Sequence, residues 1–133
     1  RGGQFLAVYA AKGCPDYVML TQGTACLFDA KQFKLKSLPL KNIHDHQFQA
    51  LKNWQGQGGF SFLIVSAVAV GKFYILPFSA FCDRFENWKK RRLLNLPIPR
   101  GQGSIPMDLI ESEGVGFDAD GFLNPLNLLL QNR

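Results

Sequence analysis

Two apolar runs, residues 17–22 and 25–33, lie so close together that they limit the fold more than any other stretch of the chain. Gly23 and Thr24 join them, so they read as two short strands of a hairpin, and their composition predicts that both are buried. Each nevertheless carries a carboxylate. Asp16 opens the first strand, and Asp29 sits inside the second with Lys31 two residues on. Side chains alternate across a strand, so Asp29 and Lys31 share one face and Ala30 takes the other. Pairing of the strands brings Asp16 to that same side, and Pro15, with its fixed φ and missing N–H, suits a strand entry at the sheet edge. Two carboxylates and an ammonium on a rigid hairpin suit a hard divalent cation and a water attacking phosphate. The plainer alternative is an Asp at a turn and an Asp–Lys pair on a half-exposed strand.

The pattern P-D-x12-D-A-K resembles that of the P-D…(D/E)-x-K nucleases, a short and degenerate motif. The next stretch, S-L-P-L-K-N-I-H-D-H-Q at residues 37–47, is similar to the segment after the active-site strand in RecU-type Holliday junction resolvases. The likeness continues in register through F-S-F-L-I-V-S-A (60–67), K-F-Y-I-L (72–76) and F-S-A-F-C-D-R-F (78–85), and weakens after about Lys90. Two motifs in the right order and at the right distance are more specific than one.

This resemblance implies an α/β fold, with a mixed central sheet flanked by helices, in a restriction-endonuclease-like nuclease core. It implies a Mg2+-dependent endonuclease, with Mn2+ able to substitute, that resolves four-way DNA junctions by paired symmetric nicks as a homodimer; the compact chain fits a phage-encoded form. In that reading Asp16, Asp29 and the Ala30 carbonyl hold the metal. Lys31 orients or helps deprotonate the attacking water, or stabilises the transition state. Gln47 reaches back from the following helix, with His44 in support. Asp29 stands where many relatives have Glu, which shortens the metal-binding arm by one methylene. RecU-like proteins also carry an N-terminal helix whose Glu joins the metal site; here no Glu precedes Glu86, so that ligand has no counterpart to assign. Their stalk, which grips the open junction centre, is expected either upstream or, in smaller form, in the loop 33–42. A nuclease of the same superfamily that cuts flaps, ends or duplex, and a non-catalytic DNA-binding module, are the competing readings.

Bulk properties narrow the choice only coarsely. A chain of 133 residues that is 47% apolar supports a single domain with a real core. Fifteen Lys and Arg against ten Asp and Glu give a net charge of +5, which suits a polyanion partner but also plain solubility. No apolar run reaches membrane-spanning length; residues 60–70 contain two serines and fit a buried strand. Cys14, Cys26 and Cys82 lack metal spacing and read as free thiols of a reducing cytoplasm, with Cys26 in the core. No secretory signal pattern is evident.

Residues 4–11 fit a first strand or the end of a helix. Beyond the hairpin, Lys34 and Lys36 would continue the face of Lys31 on an extended strand, and with Lys41 they form either a basic track along a phosphate backbone or a solvated face. A helix is expected from Asn42 or His44 to about Gln55, with Asn42 as N-cap and Ile43, Phe48, Leu51 and Trp54 as its buried stripe. His44 and Gln47 share a face. His44 and His46, two apart, point to different sides, which argues against a shared zinc. A second hairpin, 60–68 with 72–77, extends the sheet. Phe78, Phe81, Phe85 and Trp88 recur at helical spacing, as core or dimer interface. Lys89, Lys90, Arg91 and Arg92 close that helix, complement its dipole and are candidates for DNA contact or a solvated helix end. Residues 94–103 are a Pro/Gly-rich loop, 104–110 a short apolar element, 114–117 a strand, and 124–131 a last helix with Pro125 in its first turn.

Overall fold

The computed structural model describes residues 17–118 and 121–132, together with the backbone of 5–9. In chain order the elements are β1 (Phe5–Tyr9), β2 (Tyr17–Thr21), β3 (Thr24–Phe33), β4 (Ser37–Pro39), α1 (Asp45–Gly56), β5 (Phe60–Ala67), β6 (Lys72–Pro77), α2 (Phe78–Leu93), β7 (Ser104–Pro106), α3 (Met107–Glu113), β8 (Val115–Phe117) and α4 (Leu123–Gln131). Six strands form one sheet in the order β1-β2-β3-β5-β6-β8, and β4 and β7 pair separately. Only the β3–β5 pair of the main sheet is parallel; the rest are antiparallel, so the sheet is mixed as expected. A parallel pair needs a crossover, and the segment through α1 supplies it.

The β2–β3 turn shows how local chemistry sets this frame. Gln22 and Gly23 both have positive φ, 47° and 77°, the arrangement of a tight hairpin turn whose twist matches its strands. The reversal therefore sits one residue earlier than Gly23-Thr24, and Thr21 faces Thr24. The predicted second hairpin is β5–β6, reversed through a 3-10 turn at Val68–Val70 and Gly71 at φ 66°.

Alternating residues divide the core between the two sheet faces. Leu27, Leu63, Val65 and Leu76 pack with Phe48 and Leu51 of α1, the α2 aromatics, and Ile110 of α3. Met19, Cys26, Phe28, Phe62 and Ile75 pack on the other face with Leu126 of α4. A buried hydrogen bond, Thr21 Oγ1 to Asn127 Oδ1 at 3.0 Å, fixes α4 against β2. Phe78, Phe81, Phe85 and Trp88 are all buried, and Phe85 stacks on Phe48 with centroids 4.1 Å apart. The aromatic stripe is thus core and not a dimer interface: α1 already covers it.

Two expectations change in the segment after β3. Lys34 and Lys36 do not continue the strand. β3 ends at Phe33, and residues 34–36 form a bend before β4, because Leu38 is drawn into the core and β4 pairs with β7, from Leu38↔Ile105 outward. The loop 33–42 is accordingly no projecting stalk; it is folded onto the body by that pairing and by a 3-10 turn at Leu40–Asn42. No helix among the described residues is long and apolar enough to cross a membrane.

Candidate functional site

Asp29 is the one carboxylate buried among the described residues, 1% exposed, on the β3 face that α1 covers. Its Oδ1 accepts the Ala30 N–H at 2.9 Å, and its Oδ2 lies 3.0 Å from Lys31 Nζ. That second oxygen is sealed from solvent yet accepts no well-formed hydrogen bond among the described residues. Lys31 Nζ donates instead to Gln47 Oε1 at 2.9 Å, from the first turn of α1. The same Oε1 accepts the His44 N–H at 3.2 Å, so Gln47 caps its own helix while it anchors the lysine. The alternation argument therefore holds: Asp29 and Lys31 share a face, and Gln47 joins them across sixteen residues of chain.

His44, not Asn42, is the N-cap of α1, with extended φ and ψ of −75° and 152°. This also overturns the expectation that His44 and His46 diverge. Helical spacing does not apply to a residue outside the helix, and the two rings stack at 5.7 Å with planes 9° apart. Both imidazoles are exposed at the helix entry, beside the Lys31–Gln47 pair.

The far end of α1 is bolted to the sheet by contacts that the motif reading missed. Ser61 N–H donates to Gln55 Oε1 at 2.9 Å, Ser61 Oγ to the Leu51 carbonyl at 2.9 Å, and Trp54 Nε1 to the Ala25 carbonyl at 2.9 Å. A Cβ on Gly59 would lie 2.4 Å from Trp54 Nε1, so glycine there lets the indole reach β3. A signal existed: Gln47, Leu51 and Gln55 stand four apart, on the one stripe that must face the sheet.

β2 accompanies β3 only up to Tyr17↔Phe28, whereas β5 follows β3 to Phe33. From Asp29 onward, one edge of β3 has no strand beside it among the described residues. The donors here are oxygens: the unused Asp29 Oδ2 and the main chain at Ala30. Such a set fits a hard divalent cation. Asp16, its predicted companion, lies outside the described residues, as does Cys14.

The other candidates divide. Lys34, Lys36 and Lys41 are exposed and make no ion pair among the described residues. The α2 run is more committed. Lys89 pairs with Asp45 at 3.2 Å, Arg91 Nη1 donates to the Pro97 carbonyl at 3.0 Å, and Arg92 lies 4.8 Å over the Trp88 ring. Only Lys90 of the four has no such contact among the described residues. A cluster of Cys82, Asp83 and Glu86 on the same helix has the spacing of a metal site. Burial first, then Glu86, pushes the Cys82 thiol up to about 11, so it stays protonated, and Lys52 already engages Glu86 and lowers its carboxyl. It is a solvated ion pair beside a thiol.

Residues 4–123 match the family described as RecU, Recombination protein U. A Holliday junction resolvase RecU from Oenococcus oeni is 32% identical over 114 residues, 85% of this chain and 53% of that protein. The proteins of the same name from Bacillus pumilus and Staphylococcus aureus are 35% and 36% identical over 109 residues, 81% of this chain and 48% of theirs. The chain thus spans about half the length of the curated relatives it matches. Among solved structures, Hjc from Archaeoglobus fulgidus, a Holliday junction resolvase, superposes with a TM-score of 0.51 at 15% identity, over 84% of this chain and 81% of that one. At that identity the likeness shows a shared fold.

Proposed function

The chain belongs to the Recombination protein U family, and from that premise we propose that it is a metal-dependent endonuclease acting on four-way DNA junctions. The observation that carries this reading is the buried Asp29, its Oδ2 without a well-formed hydrogen bond among the described residues and 3.0 Å from a lysine that Gln47 holds in place. A fully buried carboxylate with a free lone pair is costly in a merely structural role. It is suited to a cation that arrives with the substrate.

Asp29 Oδ2, the Ala30 carbonyl and Asp16 would hold Mg2+. Tyr17 faces Phe28, and Asp16 precedes Tyr17 by one peptide, ~3.8 Å between Cα atoms. When bound, the metal acidifies a water and offsets charge developing on phosphate. Asp29 binds and orients through Oδ2, with Oδ1 pinned by the Ala30 N–H. Lys31 places an ammonium beside the reacting phosphate, and Gln47 keeps that ammonium from swinging to solvent. Lys34, Lys36, Lys41 and His44 contact the backbone on either side of the scissile phosphate, while Lys89, Lys90, Arg91 and Arg92 form a second, weaker patch. Two copies related by a two-fold axis place two such sites on strands of like polarity.

Cleavage of a synthetic four-way junction beside a linear duplex tests this, with Mg2+, with EDTA, and with Asp29→Ala. Paired symmetric nicks in the junction alone, lost with chelator and with the variant, are expected. Equal cutting of both substrates would replace the junction resolvase by a general nuclease. Binding without cutting would leave a DNA-holding module.

A further inference from the structure

We propose that the groove between α1 and the C-terminal half of α2 is a docking site for an acidic amphipathic helix of a partner protein. Leu93 and Leu94, at the end of α2, are 74% and 58% exposed. They line an open groove of about 380 Å3, with Phe48 and Gln49 supplied by α1 and with Lys89 and Lys90 at the rim. Leu96, on the loop that follows, is exposed as well. A single exposed leucine needs no explanation, but adjacent ones beside a groove mark an interaction surface.

This surface is built, not frayed. The loop after α2 is fastened back onto the helix. Arg91 Nη1 donates to the Pro97 carbonyl at 3.0 Å, Arg84 Nε to the Ser104 carbonyl at 2.8 Å, and the Leu96 N–H to the Arg91 carbonyl at 2.8 Å. Asn95, at φ 54°, supplies the left-handed turn between helix and loop. Phe48 and Phe85, buried and stacked on each other, make the floor. The leucines are therefore held in place before any partner arrives.

Charge decides what fits. From Asn87 to Met107 the chain carries Lys89, Lys90, Arg91, Arg92 and Arg100 and no carboxylate. Lys90, Arg92 and Arg100 form no ion pair among the described residues, and Lys89 meets only the exposed Asp45. The acid that lines the groove, Glu86, is engaged by Lys52. The groove is thus apolar within and positive at its rim. Its complement is a helix with leucine-like side chains on one face and carboxylates beside them. A DNA backbone would satisfy the cations but would leave both leucines against phosphate or water, with no burial gained. Phe48 and Phe85 are too buried to stack on a base.

Position adds a consequence. Phe48 follows Gln47 directly on α1, yet Asp29, Lys31 and Gln47 do not line the groove. A partner held there sits beside the candidate site and leaves it open. Lys89 and Lys90 also belong to the weaker DNA patch, so partner and DNA compete for them, while Lys34, Lys36 and Lys41 stay available to DNA.

The probe is a fluorescein-labelled synthetic helix with Leu and Phe on one face and Glu on the others, titrated with the full chain by fluorescence anisotropy. Saturable binding that weakens with added salt is expected. Leu93→Ser with Leu94→Ser, exposed positions that do not threaten folding, should weaken it at least ~tenfold. Leu93→Met with Leu94→Met should keep most of the affinity. Lys89→Ala with Lys90→Ala should cost about fivefold and flatten the salt dependence. Binding of a synthetic four-way junction should be unchanged by Leu93→Ser with Leu94→Ser. No saturable peptide binding overturns the proposal. Equal binding of a control peptide with Ser in place of its Leu and Phe also overturns it, by showing a general polyanion site. If Leu93→Ser with Leu94→Ser weakens the junction and spares the peptide, the groove belongs to DNA and the proposal falls. None of these readouts uses nicking, so they stand apart from the endonuclease reading.

Discussion

Asp29 with Lys31 and Glu86 with Lys52 are the same chemical pair in opposite surroundings. The first is 2% and 14% exposed at its side chains, and the second 42% and 47%. In the first, one carboxylate oxygen has no well-formed hydrogen bond among the described residues and the ammonium is shared with Gln47. In the second, water can reach both partners, and Cys82 adds a thiol at 3.7 Å. Solvent screens the exposed pair, so its geometry has little energetic consequence, whereas burial makes each unsatisfied atom of the other expensive. What distinguishes a site from a surface contact here is desolvation with an incomplete partner set, and not the presence of acid and base.

The widest separation between the two pairs should come from breaking each one. Lys31→Met strands a buried carboxylate and is expected to cost about 3–5 kcal/mol in urea unfolding, with Asp29→Leu added to it recovering most of the loss. If the single substitution is harmless, the buried pair is no more costly to break than an exposed one and the comparison collapses. Next comes the thiol beside the exposed pair. With its value near 11 against an ordinary 9.0, Cys82 should be alkylated by iodoacetamide at pH 8 about a hundredfold more slowly than a free thiol, as read by peptide mass spectrometry. The raised value carries a sign: its stabilising effect is complete below the ordinary thiol range and is lost as pH rises towards 11. Gln47→Ala removes the lysine's second partner and should cost about 2 kcal/mol, with a drop in nicking rate that exceeds any change in DNA affinity. At the small end, Lys52→Ala should leave the urea midpoint where it is at neutral pH. Glu86, held low mainly by its hydrogen bond from Lys52, loses that interaction only as pH falls below the usual carboxylate range. A clear destabilisation by Lys52→Ala at pH 7 would mean that exposure is the wrong dividing line.

Much of this was legible in the chain itself because it depends on short periods. Alternation placed Asp29 with Lys31, and three- and four-residue spacing marked Phe78, Phe81, Phe85 and Trp88 as one face. The errors arose where a local period was carried past the end of its element. Lys34 and Lys36 were expected on a strand that stops at Phe33, and His44 and His46 were expected to diverge by a helical rule that excludes the N-cap residue. The basic run on α2 was visible as charge, but not that Asp45, the Pro97 carbonyl and Trp88 engage three of its members.

By itself the sequence determined the two hairpins, the helices α1 and α2, the shared face of Asp29 and Lys31, and the family, since sterics and hydrophobic periodicity act over a few residues and motifs persist in order. Tertiary structure alone decided that Gln47 closes on Lys31, that Ser61 and Ala25 anchor the far end of α1, and that β4 pairs with β7 across more than sixty residues and so ends β3 at Phe33. Those contacts join segments far apart in the chain. Their energies depend on burial, which no local pattern of residues specifies.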